Sequence, residues 1–199
     1  MTESHYHHGN LRAELLAHAL RRVRQHGPGA LVLRDLAKDA GVSPAAAYRH
    51  FDTIDHLRAE VARLARQELA AAMLAARNRT SRGRNASLRR FEAIGRAYVR
   101  FAVDEPGWFE TAFVKDTVLP TTPEDPAAWD VLVGALDEMV ADGTMPARYR
   151  ESAPLVAWAS VHGLGALLSS TTQRPDGTPV DAAIDDVVAG VVRALGISR

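Results

Sequence analysis

Tyr48, Arg49 and His50 set a phenol, a guanidinium and an imidazole side by side. Tyr48 and His50 can donate hydrogen bonds to phosphate oxygens, and Arg49 can bond to phosphate or to the edge of guanine. Just before them stand Ser43, Pro44, Ala45 and Ala46. Serine is a good N-cap and proline suits the first helical position. Short side chains then let the start of the helix approach an anionic backbone, where its free amides and dipole favour phosphate. The chemistry of this stretch is recognition of a polyanion.

Positioning these groups needs two short helices and a sharp turn. The segment Leu33 to Ala40 reads as one helix, and Pro44 to about His50 as the next. They must cross closely, so a small residue is required at the contact, and Ala37 supplies it. Gly41 supplies the residue tolerant of positive φ. Leu36, Val42, Ala47 and Phe51 are spaced to form a small core under the turn, which leaves the other face of the second helix outward. An Ala-x-x-x-Gly turn alone is also found between any two packed helices; the surroundings decide. Before it, Leu11, Leu15, Ala19 and Val23, with Leu16 and Leu20, mark an amphipathic helix that ends at Gly27-Pro28-Gly29. After it, Asp52 or Thr53 can cap a long fourth helix with Leu57, Val61 and Leu64 on one face.

The formal net charge is zero, and the total hides a polarity. Residues 1–100 carry 18 Lys+Arg against 9 Asp+Glu, and residues 101–199 carry 6 against 15. Seven of the eight histidines lie within the first 56 residues. One end is therefore suited to meet a polyanion and the other to stay away from it. The competing account is an accidental split among solvated helix faces.

Further on, Asn78 to Ser87 is polar, basic and glycine-containing, and reads as a connection. Helices are expected from about Leu88 to Val103, Trp108 to Phe113, Ala127 to Ala141 and Pro154 to Ser170. A last helix carries Ile184, Val187, Val188, Val191, Val192 and Leu195. Leu119 to Pro126 holds three prolines and reads as a loop. No strand is expected. The fold class is all-α with about nine helices, divided into a helix-turn-helix domain over 1–54, a connecting helix over 55–80 and a C-terminal domain over 81–199.

The C-terminal domain offers two further surfaces. Phe91, Tyr98 and Phe101 share a helix face with Ile94, and Trp108, Phe109, Phe113 and Trp129 follow on adjacent helices, with Trp158 and His162 one turn apart. These side chains either line an apolar cavity for a small molecule or fill an ordinary core; periodicity does not separate the two. His162 either hydrogen-bonds a ligand or is satisfied by the backbone. Ala159, Gly163 and Leu167 on one helix and Ile184, Val187, Val188, Val191 and Leu195 on the last suit pairing across a twofold axis.

Composition excludes several classes. Apolar residues make up 47% of the chain and there is no cysteine, so disorder, disulfides and thiolate chemistry are out. Met1 to Asn10 has no apolar run, so no leader is expected. The apolar stretch Ala153 to Leu168 is shorter than a membrane span needs. A cytoplasmic protein without a membrane partner fits. Asp185-Asp186 is an acidic pair, but no Glu-x-x-His, Gly-rich phosphate loop or Gly-x-Ser-x-Gly occurs, so no enzyme and no cofactor are expected. His5, His7 and His8 could hold a metal, though a solvated terminus accounts for them. An architectural DNA protein without sequence preference is the other alternative.

At these residues the stretch from about Asn10 to Leu64 resembles the DNA-binding domain of the TetR family. The resemblance rests on a first helix ending in Gly, Arg34 early in the second helix, Ala-Gly-Val-Ser at 40–43 and Tyr-x-His-Phe at 48–51. The start, Tyr6-His-His-Gly-Asn-Leu-Arg12, resembles one branch of that family. Trp158-x-x-x-His162-Gly163 is similar to the Trp-His-Gly signature of one C-terminal class, and 106–113 fits the short helix expected there. The resemblance implies a one-component repressor, homodimeric on a palindromic operator and released by a small-molecule effector. It places Arg34 on a base or phosphate, Ser43 to Ala46 in the major groove, and Tyr48 and His50 on phosphates. Val32 stands where the family usually has Thr, which weakens a cap, and Ile54 where it usually has Lys, which removes a phosphate contact; His56 can compensate in part.

Overall fold

The computed structural model describes residues 11–80, 82–114, 127–170 and 177–197. The expectations for Tyr6 to Asn10, the histidines at 5, 7 and 8, and the loop at 119–126 lie outside the described residues. Among those residues there are nine α-helices and no strand: α1 (Leu11–His26), α2 (Leu33–Asp39), α3 (Pro44–Tyr48), α4 (Ile54–Arg79), α5 (Ala86–Asp104), α6 (Pro106–Ala112), α7 (Ala128–Ala141), α8 (Ala153–Ser170) and α9 (Val180–Ala194). Two short 3-10 turns stand at Pro28–Ala30 and Ala147–Tyr149.

The chain forms two compact units. The first takes α1 to α3, α4 up to Ala65, and α6; the second takes the remainder of α4 with α5 and α7 to α9. In the first unit the four-residue stripe Leu11, Leu15, Ala19, Val23 is buried, and it meets Leu36, Ala37, Ala47, Phe51, Leu57 and Val61 in one core. Each leucine so buried contributes about 1.5–3 kcal/mol. Arg12 braces the edge of this core: its guanidinium grips both carboxylate oxygens of Glu60, one at 2.8 Å, and lies 5.1 Å from the centre of the Phe51 ring. Glu60 is only 8% exposed, so the pair satisfies a carboxylate that would otherwise be buried alone.

α6 belongs to this first unit, and Gly107 explains why. A β-carbon on Gly107 would lie 2.0 Å from the carbonyl oxygen of Val23, so only glycine lets the two helix backbones meet there. Trp108 then donates its indole N–H to the carbonyl of Leu20 at 3.2 Å, and Arg24 lies over its ring at 5.6 Å. Helix α6 starts two residues before the expected Trp108 because proline at the first helical position has no N–H to satisfy.

In the second unit α5 packs against α7, α8 and α9. Its buried face is Phe91, Ile94, Tyr98 and Ala102. Glu138 of α7 accepts hydrogen bonds from Arg77 of α4, at 3.0 Å, and from Arg90 of α5, tying three helices. The polar connection is shorter than the composition suggests: α4 runs to Arg79, and α5 begins at Ala86 after Asn85 takes the left-handed conformation, φ 57°. Helix α8 reaches Ser170, beyond the apolar stretch that ends at Leu168. With 18 residues it is long and apolar enough to cross a membrane by length and composition; here it packs on α5, α7 and α9.

Candidate nucleic-acid interface

The turn between α2 and α3 is closed by two backbone hydrogen bonds. Val42 N–H donates to Ala37 at 2.9 Å and Gly41 N–H donates to Lys38 at 3.1 Å. This double closure needs a left-handed residue at its bend, and Gly41 has φ 68°. Ala37 is fully buried at the crossing, as its size requires. Ser43 caps α3: its Oγ accepts the Ala46 N–H at 3.2 Å, which leaves the hydroxyl hydrogen able to donate outward. Val32 heads α2 with no side-chain cap. Helix α2 is fastened to α1 instead by Arg22, whose Nε donates to Asp39 at 2.7 Å while an Nη lies 3.7 Å from Asp35. That hydrogen bond holds the Asp39 carboxyl below its ordinary range.

The side chains singled out for DNA fall on one outward surface. Arg34, Ser43, Pro44, Ala45 and Arg49 are exposed, Tyr48 is 50% exposed, and Ala46 and His50 are half-buried. Ala47 and Phe51 point the other way, into the core, with no exposure. An open groove beside the turn is lined by Leu11, Glu14, Gly41, Arg49 and His50, among others. Ile54 packs against the core, which is what an apolar residue at that position can do. His56 is exposed, with its ring edge-on to Phe51 at 5.9 Å, and its N–H is capped by Thr53 Oγ1 at 3.0 Å.

The second unit holds a small apolar cavity. Of the aromatic residues expected there, Phe91, Tyr98 and Trp158 line it, with Ile94, Gly95, Leu132, Val161 and Met73. Trp108, Phe109 and Phe113 do not: they sit in the first unit, where Gly107 docks α6 on α1. Phe101 is half-buried and outside the lining, and Trp129 is 41% exposed, its ring edge-on to Trp158 at 5.6 Å. His162 stands beside the cavity: Tyr98 Oη and His162 Nδ1 are 2.8 Å apart. Burial lowers the His162 pKa and raises that of Tyr98, which favours the neutral form of both partners, a phenol and an imidazole sharing one hydrogen bond. The free space is about 20 Å³, room for about one water.

The residues expected at a dimer contact separate into two sets. Ile184, Val188, Val191 and Leu195 are each no more than 4% exposed within the protomer, and Val188 and Val191 line the cavity. They form the inner face of α9 and the residue just past its end, and the protomer itself covers them, contrary to the expectation of a twofold contact. Ala159, Gly163 and Leu167 are exposed on α8, in line with Leu155 and Val156, and Val187 is half-buried. Met73 and the Arg12–Glu60 pair were not anticipated. The stripe Leu57, Val61, Ala65, Leu69, Met73 along α4 carried the signal for the first. Asp185 accepts a hydrogen bond from Arg96 at 2.8 Å, so this member of the acidic pair serves a surface ion pair.

The family model for bacterial regulatory proteins of the tetR family matches residues 15–61, and that for the tetracyclin repressor-like C-terminal domain matches residues 91–194. The chain belongs to the TetR family. A solved protein of unknown function from Rhodococcus sp. RHA1 is 30% identical, covering 97% of this chain and 99% of that one, with a TM-score of 0.80. Two further structures share the TetR fold. A tetR-family bacterial regulatory protein from Rhodococcus RHA1 is 19% identical over 95% of this chain and 98% of that one, TM-score 0.66. A TetR-family transcriptional regulator from Pectobacterium atrosepticum is 20% identical over 98% and 97%, TM-score 0.69. A comparison with curated proteins gives no match.

TetR-family chains are DNA-binding transcriptional regulators that bind operators and form dimers, and they are not enzymes. The outward surface on α2 and α3 of this TetR-family chain lies within residues 15–61, the segment matched by the model for tetR-family regulatory proteins. The narrower Trp158-His162-Gly163 class rests on sequence likeness alone.

Proposed function

We propose that this chain is a cytoplasmic homodimeric repressor, released from a near-palindromic operator by a small-molecule effector. The observation that carries the reading is the outward presentation of Arg34, Ser43, Tyr48 and Arg49 around a hydrogen-bonded turn whose opposite face is core. Ser43, Tyr48 and His50 donate to phosphates, and Arg34 and Arg49 reach base edges or phosphates. One such surface reads only a few base pairs, so a pair of them set about 34–36 Å apart across a twofold axis is needed to span successive major grooves.

The exposed stripe Leu155, Ala159, Gly163 and Leu167 of α8, with the half-buried Val187 of α9, serves as the dimer surface. Its small central residues allow close helix approach, and two copies form a self-complementary helical interface. This assigns the apolar length of α8 to a partner subunit, with no membrane partner. The effector occupies the cavity of the second unit, which α5 lines. Helix α5 leads through Glu105 directly into α6, and α6 is fastened to α1 in the unit that carries the DNA surface. A ligand that favours one setting of α5 over another biases α1 through this connection. A coupling of about 1–3 kcal/mol suffices to change operator affinity by 5- to 150-fold.

Selection of duplexes from a random pool by the full chain tests the reading. Convergence on an inverted repeat supports it, and retention of duplexes in proportion to their abundance contradicts it.

A further inference from the structure

The cavity of the second unit carries more information than its position. No charged side chain lines it. An ionised group placed there would lose its hydration and gain no partner. The polar groups beside it, Tyr98 Oη and His162 Nδ1, satisfy each other at 2.8 Å. A guest therefore needs no hydrogen-bonding group to match them. The acidic surplus of the second half of the chain lies elsewhere; Glu138, Asp137 and Asp185 pair with arginines.

Three of the lining residues, Phe91, Tyr98 and Trp158, are aromatic. Trp158 makes edge contacts with Tyr98 at 5.2 Å and with Trp129 at 5.6 Å, and stacks on His162 at 6.2 Å with 10° between the planes. Phe91 and Tyr98 are buried at 5% and 1% exposure, whereas Trp158 is half-buried and Trp129 is 41% exposed. Trp158 is thus the aromatic wall nearest solvent, and its indole fills space among other rings. Gly95 also lines the cavity and contributes no side chain: a β-carbon there would meet Val188 Cγ2 at 3.4 Å and Val161 Cγ1 at 3.8 Å. With about 20 Å³ free, a guest larger than water enters only if a side chain leaves.

We propose that the cavity takes an uncharged, flat, apolar molecule about the size of an indole ring, admitted when the Trp158 side chain swings out. This deepens the effector reading and rests on it. Apolar cavities opened by truncating a large side chain stay dry and take up aromatic guests, so Trp158→Ala should mimic the open site.

Calorimetric titration of the full-length protein with indole, tryptamine and indole-3-acetate tests the proposal, since the three share one ring and differ in charge. Indole should bind Trp158→Ala at least about tenfold tighter than the wild type, and both charged analogues should bind at least about tenfold weaker than indole. Gly95→Val, which adds a side chain to the lining, should abolish indole binding. Equal or tighter binding of a charged analogue would overturn the ligand class and leave the effector site standing. Indole binding equally to wild type and Trp158→Ala would overturn the displacement of Trp158, and binding unchanged in Gly95→Val would overturn the location. If none of the three binds folded Trp158→Ala, the cavity is not a site and the effector reading falls with it. Should Trp158→Ala fail to fold, the wild type and Gly95→Val with the three compounds still decide charge and location.

Discussion

Gly107 rests on the carbonyl of Val23 so closely that a β-carbon would stand 2.0 Å from its oxygen. Replacing a helical glycine by alanine usually stabilises a helix; here the sign reverses because a backbone must move. Gly107→Ala should lose about 1–3 kcal/mol of stability, read from urea unfolding. A gain in stability would show that α6 does not need this contact.

Glu60 and Arg12 form another long-range tie of the first unit. Breaking a fully buried pair costs about 3–5 kcal/mol. Arg12 is 46% exposed along its side chain, so water screens part of the interaction. Arg12→Ala should therefore cost about 1–3 kcal/mol, leaving the Glu60 carboxylate without its partner, and Arg12→Ala/Glu60→Ala should recover part of that loss. Equal stability of wild type and Arg12→Ala would remove the pair from the account.

His162 gives a pH dependence. Burial holds its folded pKa below the ordinary 6.5, so between the two values the unfolded chain binds more protons. Stability then rises with pH in that window. The contribution of His162 is fully favourable above about pH 6.5 and is lost as pH falls through the folded value. The melting temperature of the wild type should fall more steeply from pH 7 to 5 than that of His162→Gln. Parallel curves would contradict an imidazole kept neutral by burial.

The dimer surface is tested by Leu155→Glu/Leu167→Glu. These side chains are 68% and 66% exposed in the protomer, so the protomer should keep its fold. Burying the new carboxylates between subunits is costly, and sedimentation should show monomers with operator affinity lowered at least tenfold. An unchanged dimer would move the interface elsewhere.

Much of the architecture is legible in the residues because local rules decide it. Apolar residues at four-residue spacing bury one face of α1, Gly41 must be the bend, and Ser43-Pro44 must open α3. The rest depends on partners distant in sequence. A stripe such as Ile184, Val188, Val191 and Leu195 says that a face is covered, and not whether a partner or the same protomer covers it; here α5 and α8 do. Helix α8 is apolar nearly all round, so periodicity cannot assign its faces. The placement of Trp108 turns on Gly107 meeting Val23, and the Arg12–Glu60 pair joins residues 48 apart; neither leaves a local pattern.

The most direct test compares, at one salt concentration, the dissociation constants of the intact protein for its selected inverted repeat and for a scrambled duplex of the same length. The account predicts a ratio of at least about 10³, reduced when Arg49 is replaced by Ala. A ratio near one would contradict it.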